Sequence, residues 1–269
     1  VFNITMVAGP ALSAPLIGIL GEAWGFYSAA AGNAVMVSAL LFMRNTTGKQ
    51  GLSRRSPVQD MMAGLRYVRQ HKDVQAILAL AAIPPICGSA VNALLPVFAR
   101  DVLKGTVEDV GILMTASGLG AVAGTVVLIA MGDFKKKGFS LVVCIWIWGL
   151  AQIAFALSSA LGISIAAMVV LGAANAFLMA LTQILLISTA PPTFHGRIMS
   201  LFMLSFGLSS LSVMLFGAMA QAWGAPVTAL SAGTIGIGLS AILMWRRPAL
   251  LRVSGEPQID SEHVVQDNL

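Results

Sequence analysis

Five side-chain amides stand inside long apolar stretches of this 269-residue chain. They are Asn33, Asn92, Gln152, Asn175 and Gln183. An amide can donate and accept hydrogen bonds, and burying one without a partner costs roughly 2–7 kcal/mol. Such residues therefore either line a polar path for a solute or hold neighbouring helices together. Both interpretations stay open for each amide, and the positions of Asn92 and Asn175 near the middle of their stretches favour a path.

Glycines and prolines in the same stretches could allow movement around such a path. Gly120 and Gly124 have the four-residue spacing that lets two helices approach closely. Pro84 and Pro85 remove two backbone donors and predict a kink, which could be a gate hinge or a static bend.

Polar side chains beside and within the apolar stretches allow two interpretations as well. Four charged residues could close a gate or could only set the orientation of the chain; they are Asp133, Lys135, Lys136 and Arg197. Four serines are more typical of helix packing; they are Ser117, Ser205, Ser209 and Ser212.

The residues do not favour catalytic chemistry. The sequence contains no His-Glu-x-x-His run, no paired acids at membrane depth and no phosphate-binding glycine loop. A membrane enzyme and ATP-driven transport by this chain are therefore disfavoured, and we expect neither a cofactor nor a metal. Cys87 and Cys144 lie in apolar stretches, and we interpret them as small buried side chains instead of a disulfide or metal pair.

The composition indicates that lipid surrounds most of the chain. Hydrophobic residues make up 57% and charged residues 10% of the sequence, whereas soluble domains have about 45–50% and about 25%. In lipid every backbone polar group must be paired internally, so only helices or closed barrels can span it. Continuous apolar stretches without strand alternation predict an all-α integral membrane protein. The net charge of +5 comes from cations between these stretches and does not indicate nucleic-acid binding.

Eight stretches can cross a bilayer, which requires roughly 20 apolar residues each. Their approximate limits are 2–20, 26–43, 74–99, 110–131, 139–158, 162–188, 199–221 and 225–245. Of the 16 Lys and Arg residues, alternation places all but Arg100 and Lys104 on one side. Cytoplasmic loops carry the excess of Lys and Arg, so that side and the C-terminus are expected to be cytoplasmic.

The long connection after the second span is amphipathic. Five apolar residues follow helical spacing: Val58, Met61, Met62, Leu65 and Val68. Pro57 suits the first position of a helix. The helix could lie along the inner membrane surface or form a solvated linker.

Two segments, 18–25 and 217–224, resemble each other, and each is followed by an apolar span that ends at an arginine. Both copies run in the same direction and are separated by the equivalent of six spans. Parallel six-helix repeats relate the two halves of some transporters. The first half would then lack four spans, and we expect a complete chain of roughly 400 residues and twelve spans.

Six segments together resemble the major facilitator superfamily, particularly its bacterial drug and siderophore exporter-like, transmembrane secretion effector branch. The segments are 9–15, 60–69, 94–103, 118–124, 132–137 and 196–200. Gly9 and Pro10 match the Gly-Pro motif of the fifth helix, which is associated with antiporters, although Ser13 and Ala14 replace its glycines. His195 stands where the branch usually has a second arginine.

The resemblance implies a major facilitator fold with eight of an expected twelve spans in this chain. Its parts would be the last two helices of an N-terminal bundle (1–44), a cytoplasmic linker (45–72), a C-terminal six-helix bundle (73–247) and a cytoplasmic tail (248–269). It also implies a proton gradient as the energy source. The eight spans hold no interior ionisable residue apart from Glu22, near an outer turn, so the coupling acid is expected in the missing helices.

The leading hypothesis is a proton-coupled secondary exporter of small amphipathic molecules in the bacterial cytoplasmic membrane. An importer of the same fold and a non-transporting receptor or assembly subunit are the alternatives. The expected partners are the lipid bilayer and a small-molecule substrate, without nucleic acid, and we expect a monomer.

Overall fold

The computed structural model describes residues 27, 30–38, 57–132, 136–191 and 194–247. In these ranges, seven helices follow one another from residue 57 onward, and residues 30–38 form a further helical segment. The seven are α1 (Pro57–Gln70), α2 (Lys72–Asp101), α3 (Val107–Met131), α4 (Lys137–Leu157), α5 (Leu161–Thr189), α6 (His195–Trp223) and α7 (Ala225–Arg246). These described ranges contain no strand. The first predicted span, both ends of the second and the tail at 248–269 lie outside them.

Helices α2 to α7 confirm six of the predicted spans, since each is long and apolar enough to cross a membrane. Most of the helix ends lie one to four residues beyond the predicted apolar limits, although α4 ends one residue before its limit. For example, α2 begins at Lys72 and ends at Asp101, where 74–99 was expected. Long charged side chains near helix ends can reach the polar boundary of the membrane, so apolar length understates helix length.

Local chemistry explains two of the helix ends. The backbone N–H of Thr106 donates to Asp109 Oδ2 at 2.7 Å, which satisfies a free donor before α3 begins. Gly224 alone separates α6 from α7 and has a φ of +87°. Side chains rarely allow this left-handed backbone, so glycine permits the single-residue turn. Pro226 then suits the first turn of α7, where helical N–H groups lack partners.

The larger interfaces among the six spanning helices keep the same pattern when the first three helices are exchanged with the last three. The pair α3–α5 forms the most extensive interface, and the exchange converts it into α2–α6. The same exchange leaves the α4–α7 pair unchanged and converts the α4–α5 pair into the α2–α7 pair. The first three helices cross the bilayer an odd number of times. The second three therefore begin on the opposite side of the bilayer from the first three. The packing therefore follows an inverted repeat of three helices.

Glycines allow α3 and α5 to touch through their backbones. A Cβ added at Gly120 would collide with the carbonyl oxygen of Val169, and one at Gly124 with that of Ala173. From the other side, a Cβ at Gly172 would collide with the carbonyl oxygen of Ser117. Small residues at such crossings allow the dense van der Waals contact that replaces the hydrophobic effect between helices in lipid.

The outer surface of the bundle is apolar. Leu157, Met214 and Trp245 are 71%, 76% and 84% exposed, respectively. On a soluble protein, large exposed apolar side chains promote aggregation or mark a binding surface. Lipid is an apolar solvent, so such side chains are stable when they face it.

Helix α1 docks against the beginning of α6. Gly64, Tyr67 and Val68 are buried, and Gly64 faces the Cβ of Arg197. The expected apolar face of α1 included Leu65, which remains exposed. Val68 of that face is buried as well, so the docked face overlaps the one that apolar spacing indicated without coinciding with it.

Candidate functional site

A cavity of about 200 Å³ opens among α2, α3, α4, α5 and α6. Asn92 and Asn175 line it and are exposed, so they mark its mouth. Trp148, Gln152 and Met168 also line it but are at most 3% exposed, so they form its floor. The cavity therefore leads from the surface of the bundle into its core.

Three of the five predicted amides meet at this cavity, and each comes from a different helix. Asn92 lies on α2, Gln152 on α4 and Asn175 on α5. The side chains of Asn92 and Asn175 form no hydrogen bond with another described residue. Their donors and acceptors are therefore available to a molecule at the mouth.

Gln152 is held by only one end of its amide. Its Nε2 group donates to the carbonyl oxygen of Ala229 on α7 at 3.4 Å. Its Oε1 atom is buried and has no hydrogen-bond partner among the described residues. Reversing the amide would place two oxygen acceptors against each other, so the assignment with Nε2 toward Ala229 is the favourable one.

The floor is shaped by Trp148, whose six-membered ring lies between two glycines. A Cβ at Gly88 on α2 would come within 2.9 Å of Cζ2, and one at Gly236 on α7 within 3.1 Å of Cζ3. Real Cβ atoms rarely approach so closely, so alanine at either position would push the indole. The two glycines thus fix the position of this aromatic surface.

Helix α2 forms one wall of the cavity and contains both predicted prolines. Pro84 and Pro85 line the cavity and also a neighbouring void of about 10 Å³ beside Leu80 and Ala81. Proline has no backbone N–H, so these two residues cannot donate to the carbonyls of Leu80 and Ala81 one turn earlier. The helix nevertheless continues to Asp101, and a hinge at this point stays a prediction.

Helices α2 and α6 are linked near the cavity by serines. Ser89 Oγ donates to the carbonyl oxygen of Ile86 at 3.0 Å and to that of Ser209 at 3.4 Å. Sequence alone favoured packing for Ser209 and Ser117, and both also line the cavity.

The described lining of the cavity is neutral, because it contains no Asp, Glu, Lys, Arg or His. No group of His, Cys, Asp and Glu able to hold a metal ion occurs in the described part of the chain. The arrangement can therefore offer hydrogen bonds and apolar contact to a ligand, and it supplies no formal charge.

Other predicted residues lie elsewhere. Asn33 is exposed on the helical segment 30–38, and Gln183 is half-buried on α5 away from the cavity lining. Gly120 and Gly124 serve the crossing of α3 with α5. Lys136 is exposed immediately before α4. The remaining predicted positions, Gly9, Pro10, Asp133 and Lys135, lie outside the described residues.

Arg197 lies in an aromatic stack that joins α1 to α6. Its guanidinium carbon is 5.3 Å from the ring centre of Phe194. Phe194 stacks on Tyr67 at 4.3 Å, and Tyr67 stacks on His71 at 3.9 Å. Burial raises the pKa of the Tyr67 phenol, which further favours the uncharged form of the ring that it already has near neutral pH.

Sequence reasoning missed the aromatic floor of the cavity. Trp148 lies in the middle of α4, whereas tryptophan in membrane proteins concentrates at the two interfaces. That unusual depth is a signal that could have identified it. Gly88 offered no comparable signal, because its importance depends on the ring that packs against it.

The family comparison matches this architecture. The family model described as transmembrane secretion effector matches residues 1–269. The chain belongs to the transmembrane secretion effector family. This family is a branch of the major facilitator superfamily, so the chain is a multi-pass membrane protein of a transporter family and not of an enzyme family. No curated protein sequence matches this chain.

Proposed function

We propose that this protein is a secondary exporter of small amphipathic molecules and that the cavity forms one wall of its substrate pathway. The observation that carries the proposal is the convergence of Asn92, Gln152 and Asn175, from three different spans, on one cavity. A polar-lined cavity among spanning helices is where a solute finds replacements for its water contacts.

The mechanism we propose is alternating access. The mouth at Asn92 and Asn175 would face the N-terminal bundle, and rocking of the two bundles would open the pathway to each side in turn. Trp148, Met168 and Phe206 offer an apolar surface, while the amides offer hydrogen bonds. A substrate with an apolar body and a few polar groups fits this lining.

Energy would come from the proton gradient across the bacterial cytoplasmic membrane. The described lining of the cavity contains no acid, so the proton-binding residue belongs to the N-terminal bundle in this proposal. Lys136 and Arg197 lie at the same end of the bundle, which we propose is cytoplasmic, together with the C-terminus.

The test is dye efflux from bacterial cells that express the full-length protein. We expect dye to leave faster than from cells without the protein, and collapse of the proton gradient to abolish the difference. Faster accumulation instead of efflux would establish an importer. Efflux that ignores the gradient would remove the antiport claim.

A double variant, Asn92→Ala with Asn175→Ala, tests the pathway itself. We expect it to reach the membrane in normal amounts and to lose at least about tenfold of its transport rate, since a lost polar contact of about 1.4 kcal/mol already changes an equilibrium tenfold. Gln221→Ala, at the exposed end of α6, is the control. Unchanged efflux in the double variant would exclude this cavity as the substrate pathway. If the unaltered protein carries no flux in either direction, a receptor of the same fold is favoured instead.

A further inference from the structure

We propose that Gln152 recognises the substrate by accepting a hydrogen bond, through Oε1, from an N–H or O–H group on an uncharged part of the molecule. The inference rests on the proposed function, because it takes the cavity to be the place where the solute binds. It goes further by naming the atom that selects the solute and the chemical group that is selected.

The first observation is the unsatisfied acceptor. Buried polar groups are nearly always hydrogen-bonded, and each exception requires an explanation. Gln152 is 0% exposed, yet its Oε1 atom has no partner among the described residues. An amide that served only to join α4 to α7 would be expected to use both ends. Here only Nε2 is engaged, at a distance of 3.4 Å from the Ala229 oxygen, which is long for such a bond.

The second observation is the place of this amide in the cavity. Gln152 belongs to the lining and lies beside Trp148 on the floor. Because solvent does not reach Gln152 in this conformation, the oxygen meets a ligand when the amide turns toward the cavity. The terminal torsion of glutamine is broad, and the long bond to Ala229 restrains it weakly.

The third observation is the absence of charge from the described lining. Burying an isolated charge costs far more than burying a neutral polar group, so the part of the solute that reaches the floor is uncharged. Trp148 and Met168 supply apolar contact there. The chemical class that fits is an apolar, preferably aromatic, body that carries one hydrogen-bond donor.

Two fluorescent probes separate the donor from the apolar body. N-phenyl-1-naphthylamine is uncharged and carries one N–H group, and its N-methyl derivative is uncharged and carries none. Each is titrated against the purified full-length protein in detergent, with fluorescence reporting binding. We expect the unaltered protein to bind the N–H probe about tenfold more tightly, the effect of one net hydrogen bond.

The decisive comparison is the same pair of probes with Gln152→Met, which has a similar size and no strong acceptor. We expect the ratio of the two affinities to fall to about one, because the partner of the N–H group is gone. Gln221→Met, with the same replacement on the exposed end of α6, should keep the ratio of the unaltered protein. A ratio near one in the unaltered protein, or an unchanged ratio in Gln152→Met, would overturn the inference.

Thermal unfolding distinguishes recognition from simple packing. Gln152→Met removes an unpaired buried acceptor, so we expect a melting temperature at or above that of the unaltered protein. A large decrease in melting temperature, together with loss of binding of both probes, would show that Gln152 only holds α4 and α7 together. That result would overturn the inference.

Failure of the proposed function would look different. The same probes can be followed across proteoliposomes with an imposed proton gradient. Donor-selective binding without any flux would leave the recognition by Gln152 standing and remove the transport proposal. Flux without donor selectivity would leave the transport proposal standing and remove the recognition by Gln152.

Discussion

At the scale of single residues, glycine determines how closely α3 and α5 pack. Gly120 has no room for a Cβ, because the carbonyl oxygen of Val169 already occupies that space. Gly120→Ala therefore forces the two helices apart, and overpacking of this kind costs about 1–3 kcal/mol. We expect a lower melting temperature for the detergent-solubilised protein.

Gly238→Ala is the matched control for this substitution. Gly238 lies inside α7, and a Cβ there would meet no atom within 4 Å. Alanine is favoured over glycine in a helix by about 0.8–1 kcal/mol, so this variant should melt at the same temperature or higher. Equal destabilisation by both substitutions would contradict the close crossing of α3 and α5.

The candidate site was partly predictable from single residues. Asn92, Gln152 and Asn175 were visible because amides are rare and costly in apolar stretches, and the fold brings all three together. Gln183 had the same signal but lies away from the cavity. A sequence shows that an amide is at membrane depth, and it does not show which direction the side chain takes from its helix.

At the scale of elements, the spans were predictable and their contacts were not. Bilayer thickness sets the length of an apolar stretch, so α2 to α7 were found within a few residues of their ends. Helix α3 is apolar on all sides, and periodicity therefore cannot show which side meets α5. That information comes from small residues such as Gly120 and Gly172, which act only in pairs across two helices.

The docking of α1 also belongs to this scale, and Tyr67 provides its test. Tyr67 stacks between His71 and Phe194, and aromatic pairs contribute about 0.5–1.5 kcal/mol each. Tyr67→Ala should release α1 from α6 and expose the backbone beside Arg66 and Arg69, two trypsin sites. We expect cleavage there to become about tenfold faster, since 1.4 kcal/mol corresponds to a factor of ten.

Tyr67→Phe keeps the stacked ring and should retain the protection of the unaltered protein. Limited trypsin digestion followed by mass spectrometry measures the rate at each arginine. Equal cleavage of all three proteins would show that the aromatic stack does not hold α1 in place.

At the scale of the whole molecule, six helices form two triplets related by an inverted repeat, and the cavity lies between them. Helices α2, α3 and α4 from the first triplet and α5 and α6 from the second all contribute lining residues. Movement of one triplet against the other would therefore change the cavity directly. The glycine crossing of α3 with α5 and the serine link of α2 with α6 are the contacts that such movement has to preserve or remake.

The cysteine content of the protein makes the central proposal accessible to chemical labelling. Cys87 and Cys144 are free and buried, so both can be replaced by alanine, together with any cysteine outside this sequence, to give a background without thiols. Asn92→Cys then places a single thiol at the mouth of the cavity. Vesicles of opposite orientation present each side of the membrane to a membrane-impermeant thiol reagent.

The rate of labelling at this single thiol tests alternating access most directly. We expect modification from both sides of the membrane, with N-phenyl-1-naphthylamine slowing the reaction from each side. Absence of labelling from both sides would contradict a substrate pathway through this cavity. So would labelling from one side only, if neither the probe nor the proton gradient changes which side that is.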